Sequence, residues 1–264
     1  MRPLINFYGS KWNLAEWIIS YFPEHDVFVD VFGGSAAITL KKQRSKREII
    51  NDIDDELVNL YQVVRDHGKE LVRLCQLTPH SRTEYRRAHQ KSEDKIEQAR
   101  RTIVKCYFGI GDSIADSTNG FRNSSDSNTC VAKSWLSWWK CLNQLTTRLE
   151  GVSIENLDWR DLVEKYDSPT TLFYFDPPYV KRTRNRRHEY RHEFKDHHHQ
   201  DLLARIQRLQ GFGILSGYES EIYKDFPWKG ITRHARVNGP ETKTEVLWIC
   251  PKTSAQESQL QFTI

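Results

Sequence analysis

A chain of 264 residues, 38% of them hydrophobic, can bury a substantial core as one large domain or as a core with an insert. Lysine and arginine number 39 against 35 acids, so at a net charge of +4 any attraction to a polyanion must come from local clustering, not bulk charge. Cys75, Cys106, Cys130, Cys141 and Cys250 are odd in number and form no CxxC pair, which argues against a disulfide framework and supplies no metal-ligand spacing.

Near the amino terminus, Phe7-Tyr8-Gly9-Ser10-Lys11 precedes a helix with Leu14, Trp17, Ile18 and Tyr21 on one face and Asn13 as its expected cap. Lys11 is a cation beside a close turn, placed to meet a ligand carboxylate or to lie solvated. Val27 to Phe32 predicts a buried strand, and Gly33-Gly34-Ser35-Ala36-Ala37-Ile38 then opens a helix. Small residues there let a cofactor approach the backbone, and the absence of Gly-Lys-Ser/Thr excludes a phosphate loop. A second strand ends at Ile49-Ile50, and Asp52 lies about 20 residues past the glycines, where an acid reaches ribose hydroxyls in dinucleotide folds. Lys41, Lys42, Arg44, Lys46 and Arg47, between the two, are expected to form a solvated helix end and loop.

From Asp54 onward, Leu57, Leu60, Tyr61 and Val64 predict a helix packed on the sheet. Residues 68–148 contain no strand-like run and are expected to form a helical insert between core segments 1–67 and 149–252, with a tail at 253–264. Ser81 and Glu84 form a capping box, and Trp135, Trp138 and Trp139 share one helix face, which favours packing over base stacking. Between Gly109 and Asn128, Asn119, Arg122 and Asn123 have side chains suited to base edges or phosphates, a loop with no such role being the alternative.

Val152 to Asp158 predicts a short strand, with Asp158 either accepting from a cofactor amino group or capping the helix that follows. Leu172 to Phe175 predicts a buried strand stopped by Asp176-Pro177-Pro178-Tyr179, because neither proline can donate to a sheet ladder. At the carboxyl end of such a strand, Asp176 and the Pro177 carbonyl can each accept one N–H of an amino group, and Tyr179 offers a ring face. Lys181, Arg182, Arg184, Arg186 and Arg187 follow directly and the run continues to Arg191 and His192, a basic cluster suited to a polyanionic substrate. His197-His198-His199 is expected to start a helix, not to bind metal, since consecutive helical residues point apart. Phe212 to Ser216 predicts another strand, and Ile231 to Val237 and Glu245 to Cys250, flanking Asn238-Gly239, predict an antiparallel pair. No apolar run reaches the length of a membrane span and no signal peptide is evident, so a soluble cytoplasmic protein without a membrane partner is expected.

In order along the chain, Phe7-Tyr8-Gly9-Ser10-Lys11, Asp30-Val31-Phe32-Gly33-Gly34-Ser35, Asn51-Asp52, Asp158 and Asp176-Pro177-Pro178-Tyr179 resemble the Dam-like, D12-class family of DNA adenine N6-methyltransferases. The resemblance implies S-adenosylmethionine as cofactor, and an α/β Rossmann-like methyltransferase sheet with an antiparallel terminal strand pair and a helical target-recognition insert. It implies that Tyr8 and Lys11 contact the methionine part, that Asp30, Phe32, Gly33, Gly34 and Ser35 lie along the cofactor with Asp158 and Asp176, and that Asp52 binds ribose. Double-stranded DNA in a bacterial or phage-infected cell is the implied partner, acted on by a monomer or weak dimer through base flipping. Ala36 stands where the family's glycine turn has its second glycine, and the insert lacks the segments associated with GATC reading, so a different or relaxed target is expected, as in phage and prophage relatives. Methylation of cytosine N4 and a noncatalytic DNA-binding role are the alternatives.

Overall fold

Seven strands make one sheet: Val27–Asp30 (β1), Arg47–Asn51 (β2), Ser153–Glu155 (β3), Thr171–Phe175 (β4), Phe212–Tyr218 (β5), Lys229–Arg236 (β6) and Thr242–Ile249 (β7). The computed structural model describes residues 3–110, 120–123, 131–139, 142–184, 190–236 and 242–253. Asn119, Arg186, Arg187, the Asn238-Gly239 turn and the tail after Thr253 lie outside the described residues.

The strand order is β3-β2-β1-β4-β5-β7-β6, with β7 antiparallel to both β5 and β6 and the other pairs parallel. The expected α/β sheet with an antiparallel terminal pair is therefore present. β1 and β4 are neighbours although Asp30 and Thr171 are far apart in sequence, and this central seam is where ligands bind in open parallel sheets. β4 is buried throughout because its alternating side chains meet different partners. Leu172 and Tyr174 pack with Ala15, Ile18 and Ile38, whereas Phe173 and Phe175 pack with Leu162, Leu202 and Ile206.

Ala15–Ile19 (α1) and Ala37–Lys41 (α2) lie on one side of the sheet, and Trp159–Tyr166 (α8) and Asp196–Ile206 (α9) on the other. Between β2 and β3 come Asp55–Gln76 (α3), Arg82–Arg87 (α4), Lys95–Phe108 (α5), Val131–Trp138 (α6) and Leu142–Leu149 (α7). The boundary expected at 67/68 falls inside α3, at a kink where His67 leaves helical geometry. Gly68 is required there: a Cβ would stand 2.3 Å from Thr146 Oγ1 of α7. Ser81 accepts from the Glu84 N–H at 3.1 Å, half of the predicted capping box, while the Glu84 carboxylate pairs with Arg100 at 2.9 Å. Trp135 and Trp138 are buried and stack with ring centroids 5.5 Å apart, which makes them core residues. No helix among the described residues is long and apolar enough to cross a membrane.

Two local expectations differ from the structure. Helix α1 starts after a turn closed by the Leu14 N–H on the Lys11 carbonyl, so Leu14 and not Asn13 is its cap residue, with no side-chain bond. The basic run after α2 is only partly solvated. Lys42 and Arg148 are buried, each 2.6 Å from an oxygen of the buried Glu48. Arg44 donates to the carbonyls of Thr147, Arg148 and Glu150 at the end of α7. Those carbonyls lack helical partners, and a long cationic side chain satisfies them.

Candidate active site

The carboxyl ends of β1, β2 and β4 meet at the seam. Asn51 ties this edge together, its amide donating to the Val31 and Leu157 carbonyls at 3.0 and 3.1 Å and its oxygen accepting from the Leu157 N–H. After β1 the chain turns sharply. A Cβ on Gly33 would meet Ile50 at 2.8 Å, and Gly34 has a φ of +49°, so this turn needs both glycines. Asp52 locks it, one carboxylate oxygen accepting from the Gly34 N–H at 2.8 Å and the other from the Asp54 N–H at 2.9 Å. Burial raises Asp52 to about 6, with those two N–H groups opposing the rise. Tyr61 donates its hydroxyl to the Gly34 carbonyl, and Ser10 and Ser35 share a hydrogen bond of 2.8 Å.

Ala36, the next residue but one, is left-handed at φ 51°, the only non-glycine among the described residues with positive φ. The family's second glycine thus corresponds to a backbone position that an L-residue occupies at a cost. Asp30, at the end of β1, is buried and accepts from the Thr39 hydroxyl at 2.8 Å. Burial pushes it up to about 8, with the Thr39 bond opposing the rise.

A cleft opens beside this turn. Phe32, Ile53, Leu157 and Phe194 give it apolar walls, and Asp52, Asp54, Asp158 and Asp176 bring carboxylates to it. Asp158 caps α8 through the Arg160 N–H at 2.9 Å, the alternative that the sequence left open, while its half-exposed carboxylate still faces the cleft. Its far side is closed by the segment after Tyr190. There Arg191 reaches Asp54 and Glu56, and the Tyr190 ring stands 6.2 Å from those of Phe7 and Tyr8.

A second cleft lies on the other side of Tyr190, lined by Tyr8, Lys11, Tyr179, Tyr218 and Glu245. Lys11 is buried. It donates to the Gly9 carbonyl and meets Asp176 Oδ1, both at 2.9 Å, and lies 4.6 Å from the Tyr179 ring centroid. The cation expected to meet a ligand carboxylate is therefore engaged with two protein acids, Asp176 and, at 3.9 Å, Glu245. Burial alone would lower its pKa, but these carboxylates outweigh burial and hold it above the ordinary lysine value. Burial also raises Asp176, with Lys11 opposing. The Tyr179 hydroxyl donates to Glu245 and sits 2.9 Å from Ser216 Oγ, which fixes the ring.

Of the basic cluster, Lys181 and Arg182 are exposed. Arg184 differs from the expectation: its side chain is 1% exposed and pairs with Glu193, because Tyr190 and Glu193 fold back over it. In the insert, Phe121 pairs with Gly109 in an isolated bridge and stacks on His80, bringing Arg122 and Asn123 to the end of α5. His197 to His199 lie in the first turn of α9, and no group of three or more His, Cys, Asp or Glu among the described residues could hold a metal. Sequence reading missed Glu245, Ser216 and Tyr190, and it placed Arg191 in the basic cluster for a polyanion, whereas Arg191 is engaged by Asp54 and Glu56. Only Glu245 left a signal, an acid immediately before the apolar run Val246-Leu247-Trp248 in a strand.

The sheet is of the open α/β, Rossmann-like class, and its acids gather at the carboxyl edge on either side of the β1–β4 seam, where such sheets bind ligands. Sequence comparison narrows the class. Residues 7–226 match the family model described as D12 class N6 adenine-specific DNA methyltransferase, and the chain belongs to that family. Comparison with curated proteins gives no match. Among solved structures, a Clostridium thermocellum protein provisionally described as an rRNA methylase is similar at 11% identity and a TM-score of 0.40, over 90% of this chain and 94% of that one. A conserved hypothetical protein of Streptococcus pyogenes is similar at 7% identity and a TM-score of 0.36, over 92% and 97%. Likenesses this distant bear on neither function nor mechanism.

Proposed function

We propose that this protein transfers a methyl group from S-adenosylmethionine to N6 of adenine in double-stranded DNA, acting on a base turned out of the duplex. The observation that carries this reading is the position of Asp176, which lines the first cleft while its neighbour Tyr179 lines the second.

The residues of the first cleft suit that cofactor. Asp52 and Asp54 offer acceptors to ribose hydroxyls, since each carboxylate has lone pairs beyond those already used. Phe32, Ile53 and Leu157 provide apolar walls for a purine, and Tyr8, Asp30, Gly33, Gly34 and Ser35 continue toward Asp176. When bound, S-adenosylmethionine supplies an electrophilic methyl group on a cationic sulfur.

The adenine amino nitrogen shares its lone pair with the ring and is a poor nucleophile. Asp176 accepting one N–H and the Pro177 carbonyl the other favours a tetrahedral nitrogen whose lone pair is available. Pro178 stiffens the corner, and the Tyr179 ring, held by its hydroxyl, gives the base a stacking face. Turning the base out costs a few kcal/mol, which stacking and phosphate contacts offset. Lys181 and Arg182, with Arg186, Arg187, Asn119, Arg122 and Asn123, are the DNA-contacting set in this reading.

The test is transfer of labelled methyl from S-adenosylmethionine to unmethylated duplex DNA, followed by digestion to nucleosides and mapping. N6-methyladenine is the expected product. Modification at one short motif would assign the insert a reading role, whereas modification at most adenines would mean relaxed recognition. N4-methylcytosine, or DNA binding without transfer, would overturn the proposal.

A further inference from the structure

Glu245 is 3% exposed on β7, and no step above makes use of its charge. Its carboxylate accepts from the Tyr179 hydroxyl and from Ser216 Oγ at 2.9 Å, and it stands 3.9 Å from Lys11 Nζ. Lys11 is 2.9 Å from Asp176. The buried Glu245 and the partly exposed Asp176 therefore share one cation, and the nearer of them, Asp176, is the acid assigned to the substrate amino group. Burial raises Glu245 above the ordinary glutamate value, with Lys11 opposing, as expected of an acid whose cation is mainly engaged elsewhere.

This arrangement sets a conflict. While Lys11 holds Asp176, an amino group arriving at Asp176 must compete with a full positive charge for the same carboxylate. A lysine has three donors on a flexible stem, and the two acids differ by only about 1 Å in their distance from Lys11 Nζ. We propose that Glu245 is a positioning residue for methyl transfer: it takes over Lys11 when the base amino group engages Asp176, and meanwhile anchors Tyr179 through its hydroxyl. The inference rests on the reading of Asp176 as the acceptor for the amino group.

Glu245→Gln keeps the size of the side chain and an acceptor for Tyr179 but removes the charge that would receive Lys11. Its kcat for methyl transfer to duplex DNA should fall about 10- to 100-fold, as when a charged partner leaves a buried hydrogen-bonded network, with KM for DNA and Kd for S-adenosylmethionine within about threefold of wild type. Glu245→Asp, which restores the charge, should recover most of the loss. Wild-type kcat in Glu245→Gln, or a Glu245→Asp enzyme no better than it, would overturn the inference. Should Glu245→Gln not fold by circular dichroism, Ser216→Ala takes its place, because it removes one tether of the carboxylate and leaves its charge. A fall in kcat of about threefold or more with unchanged Kd is expected, and wild-type kcat overturns the inference. If the wild-type protein transfers no methyl group at all, the assigned reaction falls and this inference with it.

Discussion

Arg191 and Asp54 face each other at 2.9 Å across the mouth of the first cleft, joining the segment that follows the Asp-Pro-Pro-Tyr corner to the amino end of α3. Arg191 also meets Glu56 at 3.1 Å, and Glu56 is paired in turn with Lys105 of α5. The cleft wall that carries Tyr190, His192 and Phe194 is thus held by charge as well as by ring contacts. Arg191→Ala should weaken S-adenosylmethionine binding about tenfold, the scale of one lost charged hydrogen bond. Calorimetric titration of the cofactor checks this, and unchanged affinity would show that the wall stands without the pair.

Asp176→Ala should reduce methyl transfer at least about a hundredfold, because the acceptor proposed for the amino nitrogen is lost. Cofactor binding should remain measurable, since Asp52, Asp54 and the glycine turn are untouched. Single-turnover transfer and equilibrium dialysis separate the two effects, and full turnover in the variant would remove Asp176 from the mechanism.

Arg182 and Arg184 stand two residues apart and should behave differently. Arg182 is exposed and weakly held by Asp196 at 3.2 Å, so Arg182→Ala should flatten the salt dependence of DNA binding by about one unit of slope without altering Tm. Arg184→Ala leaves Glu193 without its buried partner and should lower Tm instead. Salt titrations and thermal scans of both variants provide the comparison.

Hydrogen bonds from Arg100 hold Glu97 at about 2, well below its usual 4.5, while burial opposes the shift and Arg101 adds to it. A depressed folded-state value gives stability that is present above about pH 4.5 and is lost as pH falls toward 2. Allowing for solvent screening, about 1 kcal/mol should be gone by pH 3. Urea unfolding at pH 7 and pH 3 should therefore show a smaller difference for Glu97→Gln than for wild type. An equal difference would assign the acid sensitivity to other carboxylates.

Ala36→Gly removes the cost of a left-handed L-residue, roughly 1–2 kcal/mol, but adds unfolded-state freedom of about 0.4–1 kcal/mol and loses a buried methyl. Stability within about 1 kcal/mol of wild type is expected in urea unfolding, with cofactor affinity undiminished. A marked loss of either would mean that the Ala36 methyl does more than tolerate its backbone.

What the sequence displayed was local. Strand β4 was legible because five buried residues end at two prolines, and Ser81 because a cap and its partner are three residues apart. The place of Asp52 beside the glycine turn was legible through its distance from the glycines. The residues that escaped are linked over long separations: Lys42 and Glu48 to Arg148, Tyr179 to Glu245, and Arg191 to Asp54. A charge that is buried because its partner arrives from another part of the chain has the same local signature as a solvated one. That is why Lys42 and Arg184 read as surface residues.

The buried contact between Arg148 of α7 and Glu48 of β2 has a practical meaning for anyone who would exchange the helices between β2 and β3. A foreign segment grafted between β2 and β3 would strand Glu48 and Lys42 unless it also delivered a guanidinium to the same spot. Replacement of this insert therefore has to preserve Arg148, and hydrogen exchange should show α7 and β2 opening together as one cooperative unit.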